Sequence, residues 1–124
     1  MNWIIIVILV VVVGFVYVMK QSGQISAETA VAYLKSGAMV IDVRSPGEFS
    51  AGHLAQAINI PLNEIETAFP QRVIDKNQVL LLHCASGMRS GVAQRKLKGM
   101  GYVNAFNLGS YVHAEAIVGK QPSK

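Results

Sequence analysis

Residues Trp3 to Met19 read WIIIVILVVVVGFVYVM, without a charge or a strong polar group. Apolar residues on every side leave such a helix no face for solvent, and a domain of about a hundred residues lacks the surface to cover it. At about 1.5 Å per residue the run extends roughly 25 Å, near the short end of what spans a bilayer. A secretory signal needs a basic segment before its apolar core and small residues at a cleavage site. Here Met1 and Asn2 precede the run and Met19-Lys20-Gln21 follows it. The expectation is one uncleaved transmembrane helix at 1–20, a polar linker at 21–24 in which Gly23 gives flexibility, and a single domain at 25–124. Lys20, just after the run, places that domain on the cytoplasmic side of the membrane by the positive-inside tendency.

The formal charge is +4, and beyond Lys20 ten basic side chains face seven acidic ones. That balance is mild, and no basic run is interleaved with aromatics, which argues against a nucleic-acid partner. The chain has one cysteine, so an internal disulfide framework and a paired-cysteine metal site are both excluded. If the thiol matters, it matters as a reactive group.

Beyond the linker, short apolar runs alternate with helical patterns. Ser26 caps a helix that Gly37 stops, and Met39–Val43 is a strand whose end carries Asp42 and Arg44. Ser45-Pro46 opens a short helix through Phe49, Ala57–Ile60 is a second strand, and Leu62–Phe69 a further helix. Val79–Leu82 is a strand, Ser90–Met100 a helix, Val103–Phe106 the last strand and Tyr111–Val118 the last helix. The alternation predicts an α/β domain on a mainly parallel sheet, with ligands at the carboxyl ends of the strands. That rule points at Arg44 and Cys84.

Between the strand and the helix lies Cys84-Ala85-Ser86-Gly87-Met88-Arg89, followed by Ser90. In a loop this tight the backbone N–H groups turn inward as an anion-holding nest, backed by the positive end of the helix. Such surroundings lower the pKa of a thiol. Gly87 permits positive φ, Ala85 and Ser86 leave room for a ligand, Arg89 binds an anion or braces the loop, and Ser90 can cap the helix. The bland alternative is that Cys84 is a small buried hydrophobe. A cysteine phosphatase pattern has five residues between cysteine and arginine where this chain has four, which disfavours phosphate or arsenate chemistry.

The stretches VIDVRSPGEFSAGHLAQAINIPL (Val40–Leu62) and LLLHCASGMRS (Leu80–Ser90) resemble those of single-domain rhodaneses, which are sulfurtransferases. The resemblance covers about residues 24–109. It implies a rhodanese-like, mainly parallel five-stranded sheet flanked by helices. It implies a catalytic Cys84 that takes sulfane sulfur from a donor such as thiosulfate and holds it as a persulfide. A thiophilic acceptor, a small molecule or a protein, then removes the sulfur, with no cofactor and no metal. The substrate-binding set is Ala85, Ser86, Gly87, Met88, Arg89, Ser90 and Arg44, with Met88 and Ser86 facing the second substrate.

Glu48 resembles the family glutamate and is expected to hold Arg89. His53 resembles the histidine of a packing GH motif. Asp42 and Arg44, two apart at a strand end, pair with each other or reach into the site, and Asp42 reads chiefly as a buried hydrogen-bond partner. His83 reads as a satisfied core histidine, and Tyr111 and His113 receive no role. Many rhodaneses have Gly-Gly-Trp where this chain has Leu108-Gly109-Ser110-Tyr111, which leaves the pocket edge open. A second reading keeps the persulfide but not the turnover, making the chain a sulfur carrier or docking module at the membrane.

Overall fold

The computed structural model describes residues 2–22 and 24–119, with the side chains at 18–22 outside the described set. In chain order the helices are α1 (Asn2–Ser22), α2 (Ala27–Lys35), α3 (Pro46–Ala51), α4 (Ile65–Arg72), α5 (Met88–Gly99) and α6 (Tyr111–Val118). The strands are β1 (Met39–Asp42), β2 (Ala57–Asn59), β3 (Leu80–Cys84) and β4 (Ala105–Ser110), and a 3-10 turn at Leu62–Glu64 leads into α4.

The caps expected at Ser26 and Ser45 form as expected. The Ser26 side chain accepts from Thr29 N at the start of α2. At α3 the Ser45 side chain accepts from Glu48 N while the Glu48 carboxylate accepts from Ser45 N, so two otherwise orphaned donors are satisfied reciprocally.

All strand pairs are parallel, in the order β2-β1-β3-β4. Side chains alternate across the sheet, as the strand period of two requires. Ile41, Val43, Leu80, Leu82 and Cys84 pack with Ile65 and Phe69 of α4 and Ala93 and Leu97 of α5. Val40, Leu81 and Leu108 pack on the other face with Ala30 of α2 and Ala114 and Ile117 of α6. Covered on both faces, β3 is buried at all five positions, which is why it reads as a continuous apolar run.

The sheet has four strands rather than five among the described residues. What would be a fifth is reduced to a single parallel bridge between Gln24 and Asn107, with Ile25 N donating to Asn107 O at 3.2 Å. The backbone cannot extend that pairing, because Ser26 already caps α2 one residue later.

The N-terminal boundaries change too. Gln21 and Ser22, expected in the linker, complete α1; Gln24 belongs to the sheet edge; Gly23 and residues 120–124 lie outside the described residues. Among the described residues no helix is long and apolar enough to cross a membrane, which corrects the expected transmembrane helix. The apolar run closes on the polar Lys20-Gln21-Ser22 at the end of α1. From Trp3 to Tyr17 the large apolar side chains of α1 are exposed.

Phe69 is fully buried and meets the Tyr102 ring edge-on at 5.0 Å between centroids. Phe69→Ala is expected to lower unfolding free energy by about 3–5 kcal/mol, read as a shifted denaturant midpoint. A change below about 1 kcal/mol would show that this core collapses around the gap.

Candidate active site

Cys84 ends β3, and the chain turns through Ala85, Ser86 and Gly87 into α5. The turn is tighter than the sequence suggested. Gly87, at φ +94°, occupies the N-cap position, and the helix starts at Met88 rather than Ser90. A side chain there is strained by the positive φ, and its Cβ would sit 3.4 Å from the backbone of Gly109. Because the helix starts two residues early, Ser90 is its third residue and its N–H is one of those the helix leaves unsatisfied.

That N–H points at the sulfur. Cys84 Sγ accepts from Gly87 N at 2.9 Å, Ser90 N at 3.4 Å and Ser90 Oγ at 3.5 Å. Burial pushes the thiol up; the Ser90 hydroxyl and the N–H groups of Ser90, Ser86 and Gly87 more than offset this, and its pKa lies below the ordinary cysteine value. The sulfur is fully buried and belongs to the apolar cluster of Leu80 and Leu82. It therefore sits beneath the loop, not at its mouth.

Ser90 does not cap α5. Its hydroxyl meets Asn107 Oδ1 at 2.7 Å and Gly87 O at 3.1 Å, and Asn107 Nδ2 donates to Gly87 O at 3.2 Å. Asn107 also accepts from Gly109 N at 2.9 Å. This one buried amide therefore ties the loop, α5 and β4 together. It escaped the sequence reading, although a polar side chain inside a short apolar strand was the available signal.

Arg89 takes the bracing role. Its two terminal nitrogens donate to the two Glu48 oxygens at 2.7 and 2.9 Å, a bidentate pair joining α5 to α3. Arg44 stands apart from the expected substrate rim. It donates to Asp42 through Nε and Nη2 and to Gly52 O through Nη2, and its guanidinium lies 4.6 Å from the centroid of the Tyr111 ring. Asp42 is fully buried and accepts from Arg44 N as well, so it is the hydrogen-bond partner expected of it. The charge of Arg44 is consumed by the fold.

His83 is buried on the opposite face of β3 from Cys84, with Asp42 Oδ2 3.8 Å from Nε2 and the Tyr111 ring at 5.8 Å. Among the described residues neither ring nitrogen has a hydrogen-bond partner, so it is a core histidine but not a satisfied one. Burial pushes its pKa down, outweighing the Asp42 carboxylate. His53 stacks on Phe49 at 3.7 Å, with Nδ1 2.8 Å from Phe49 O. It shapes the turn after α3.

The divergent Leu108-Gly109-Ser110-Tyr111 stretch closes the pocket edge. Tyr111 N donates to Ala85 O at 3.3 Å, Ser86 bridges Ser110, and the Ser110 side chain caps α6 by accepting from His113 N. Tyr111 thus has a role that sequence did not assign. Among the described residues no cluster of His, Cys, Asp and Glu could hold a metal ion.

A family model described as Rhodanese-like domain matches residues 26–113. The chain belongs to the rhodanese family. Thiosulfate sulfurtransferase PspE of Escherichia coli (strain K12) is 41% identical over 69 residues, covering 56% of this chain and 66% of that protein, so the chain spans just under two thirds of its length. Thiosulfate sulfurtransferase GlpE of Pseudomonas entomophila is 30% identical over 90 residues, covering 73% and 81%. Among solved structures, the human single-domain sulfurtransferase TSTD1 superposes with a TM-score of 0.65 at 28% identity, covering 81% of this chain and 98% of that one. Relatives so named support a rhodanese-type enzyme.

The rhodanese loop is held partly by a charge pair whose pH dependence is fixed in sign. Arg89, with the Ser45 N–H, draws the Glu48 carboxyl down from the ordinary 4.5 to about 2. A depressed folded pKa means the pair's stabilisation is fully present above about 4.5 and is lost as pH falls towards 2. Because Glu48 is more than a third exposed, solvent screening keeps the contribution small. The excess in denaturant midpoint of wild type over Glu48→Gln is expected to shrink across that window. An offset that stays constant would contradict the linkage.

Proposed function

We propose that this rhodanese-like chain is a sulfurtransferase that moves sulfane sulfur from a donor such as thiosulfate to a thiophilic acceptor through a persulfide on Cys84. One observation carries the reading: two backbone N–H groups and a hydroxyl converge on the sulfur from the start of α5. They favour the thiolate, which is the attacking form of cysteine. The thiolate attacks the outer sulfur of thiosulfate, the S–S bond of the donor breaks, and sulfite leaves with the electron pair. The terminal sulfur of the persulfide then carries the negative charge, and the same preorganised donors hold it.

Ala85, Ser86, Gly87, Met88, Arg89 and Ser90 form the binding loop in this reading, with Gly87 and Ser90 supplying donors and Arg89 bracing through Glu48. The donors that lower the Cys84 pKa favour the thiolate and so reduce the need for a general base. The named activity of PspE and GlpE supports the same chemistry.

Treating the full chain with thiosulfate is expected to add about one sulfur atom to Cys84, and adding cyanide to release thiocyanate, both abolished in Cys84→Ser. A Cys84 mass unchanged by thiosulfate, with no thiocyanate, would contradict thiosulfate as the donor. Rapid persulfidation without thiocyanate turnover would favour a sulfur carrier instead; a putative sulfur carrier protein of Bacillus subtilis, YrkF, is 30% identical over 69 residues.

We further propose that α1 seats the chain in lipid. Its exposed apolar side chains, Trp3 to Tyr17, form a patch far larger than a lone soluble domain presents, and Lys20 after the apolar run favours the cytoplasmic leaflet. The full chain is expected to float with phosphatidylcholine vesicles in a density gradient. Recovery wholly in the vesicle-free fraction would overturn this placement.

A further inference from the structure

Resting on the sulfur-transfer reading, the charges around the loop narrow the donor. Two guanidiniums expected to serve the site are committed to carboxylates: Arg89 holds Glu48 through two bonds, and Arg44 holds the buried Asp42. Each cation is matched by an anion a few ångströms away. At the sulfur itself a negative ligand meets the positive end of α5, equivalent to about half an elementary charge, while the exposed Arg95 lies a turn further along the helix, beside Gly91. The helix end suffices for one sulfur anion but faces both the thiolate and a dianion when thiosulfate arrives.

The exposed surface of the loop is neutral and largely apolar. Ala85 and Ser86 are exposed, and Met88 is 77% exposed as the first residue of α5. Val112, 75% exposed, follows Tyr111, whose N–H is bonded to Ala85 O. Two large apolar side chains thus stand in solvent on the two elements that meet at the loop. Single exposed apolar residues need no explanation, but these stand on the two elements joined at Ala85, and Arg89, the charged residue next to Met88, is paired with Glu48.

We infer that the site takes its sulfur from organic persulfides with an uncharged apolar substituent, R–S–SH, in preference to dianionic thiosulfate. The Cys84 thiolate attacks the terminal sulfur, forming one S–S bond as the bond to R–S breaks. The departing R–S⁻ takes the electron pair and then the terminal proton. The products are R–SH and the Cys84 persulfide anion, with no net oxidation or reduction and no further reactant. The R group lies against Met88 and Val112, where a thiosulfate oxygen gains nothing.

The test measures how fast the full chain gains one sulfur on Cys84, by quenched mass spectrometry, from benzyl persulfide and from thiosulfate. Each rate constant is divided by that of N-acetylcysteine with the same donor, which removes the donor's own reactivity. The normalised ratio is expected to favour benzyl persulfide at least tenfold. The exposed-site variants Met88→Lys and Val112→Lys are each expected to reduce it at least threefold, mainly by quickening the thiosulfate reaction. A ratio of one or below, or a ratio that neither lysine changes, overturns the donor preference and leaves sulfur transfer standing. No sulfur gained from either donor overturns sulfur transfer itself.

Discussion

The convergence of α5's first amides on one sulfur atom is the contact on which the site depends. Cys84 is buried among leucines, surroundings that by themselves favour the neutral thiol. The Ser90 hydroxyl together with Gly87 N and Ser90 N, backbone donors left over at a helix start where the macrodipole also favours negative charge, offsets that preference. Their geometry costs no reorganisation when charge arrives on sulfur, since β3 and α5 already fix it. A charged ammonium in the same place would need its own burial offset.

Several otherwise unrelated features serve that geometry. Gly87 supplies the left-handed backbone that lets the helix begin immediately after the loop, and its lack of a Cβ lets the loop lie against the backbone of Gly109 in β4. The β3–β4 register shifts between Leu82 and His83, so that Cys84 lies beside Ser110. Asn107 then reaches both Ser90 and Gly87 O. On the outer side, the Glu48–Arg89 pair fixes α5 against α3, whose own start is fixed by the Ser45 capping box. On the far face of the sheet, Asp42, Arg44, Tyr111 and His83 form a packed polar layer that orients the strand ends without reaching the sulfur.

Much of this was legible in the sequence where it rested on local rules. The apolar run at β3, the Ser26 and Ser45 caps and the Gly87 turn each carry their own signal, and they gave the order of strands and helices, although the last strand runs over Ala105–Ser110 rather than Val103–Phe106. The Glu48–Arg89 pair followed from family resemblance, since 41 residues separate its partners. What failed was tertiary. Nothing near Arg44 in the chain says that Tyr111 covers it, and nothing near Ser90 says that Asn107 takes its hydroxyl from the capping role. The loss of a fifth strand likewise reflects a competition at Gln24–Ser26, where a helix cap and a sheet edge claim neighbouring residues.

The central claim is that the donors at the start of α5, the Ser90 hydroxyl and the main-chain N–H groups, outweigh burial at Cys84 and hold its pKa below the ordinary cysteine value. Alkylation of the full chain by iodoacetamide, followed at Cys84 across a pH series, measures this directly. The account predicts a half-maximal rate below the value of about 8.5 for a free thiol. A midpoint at or above that value would mean that the leucines prevail over the amides, and would contradict the account.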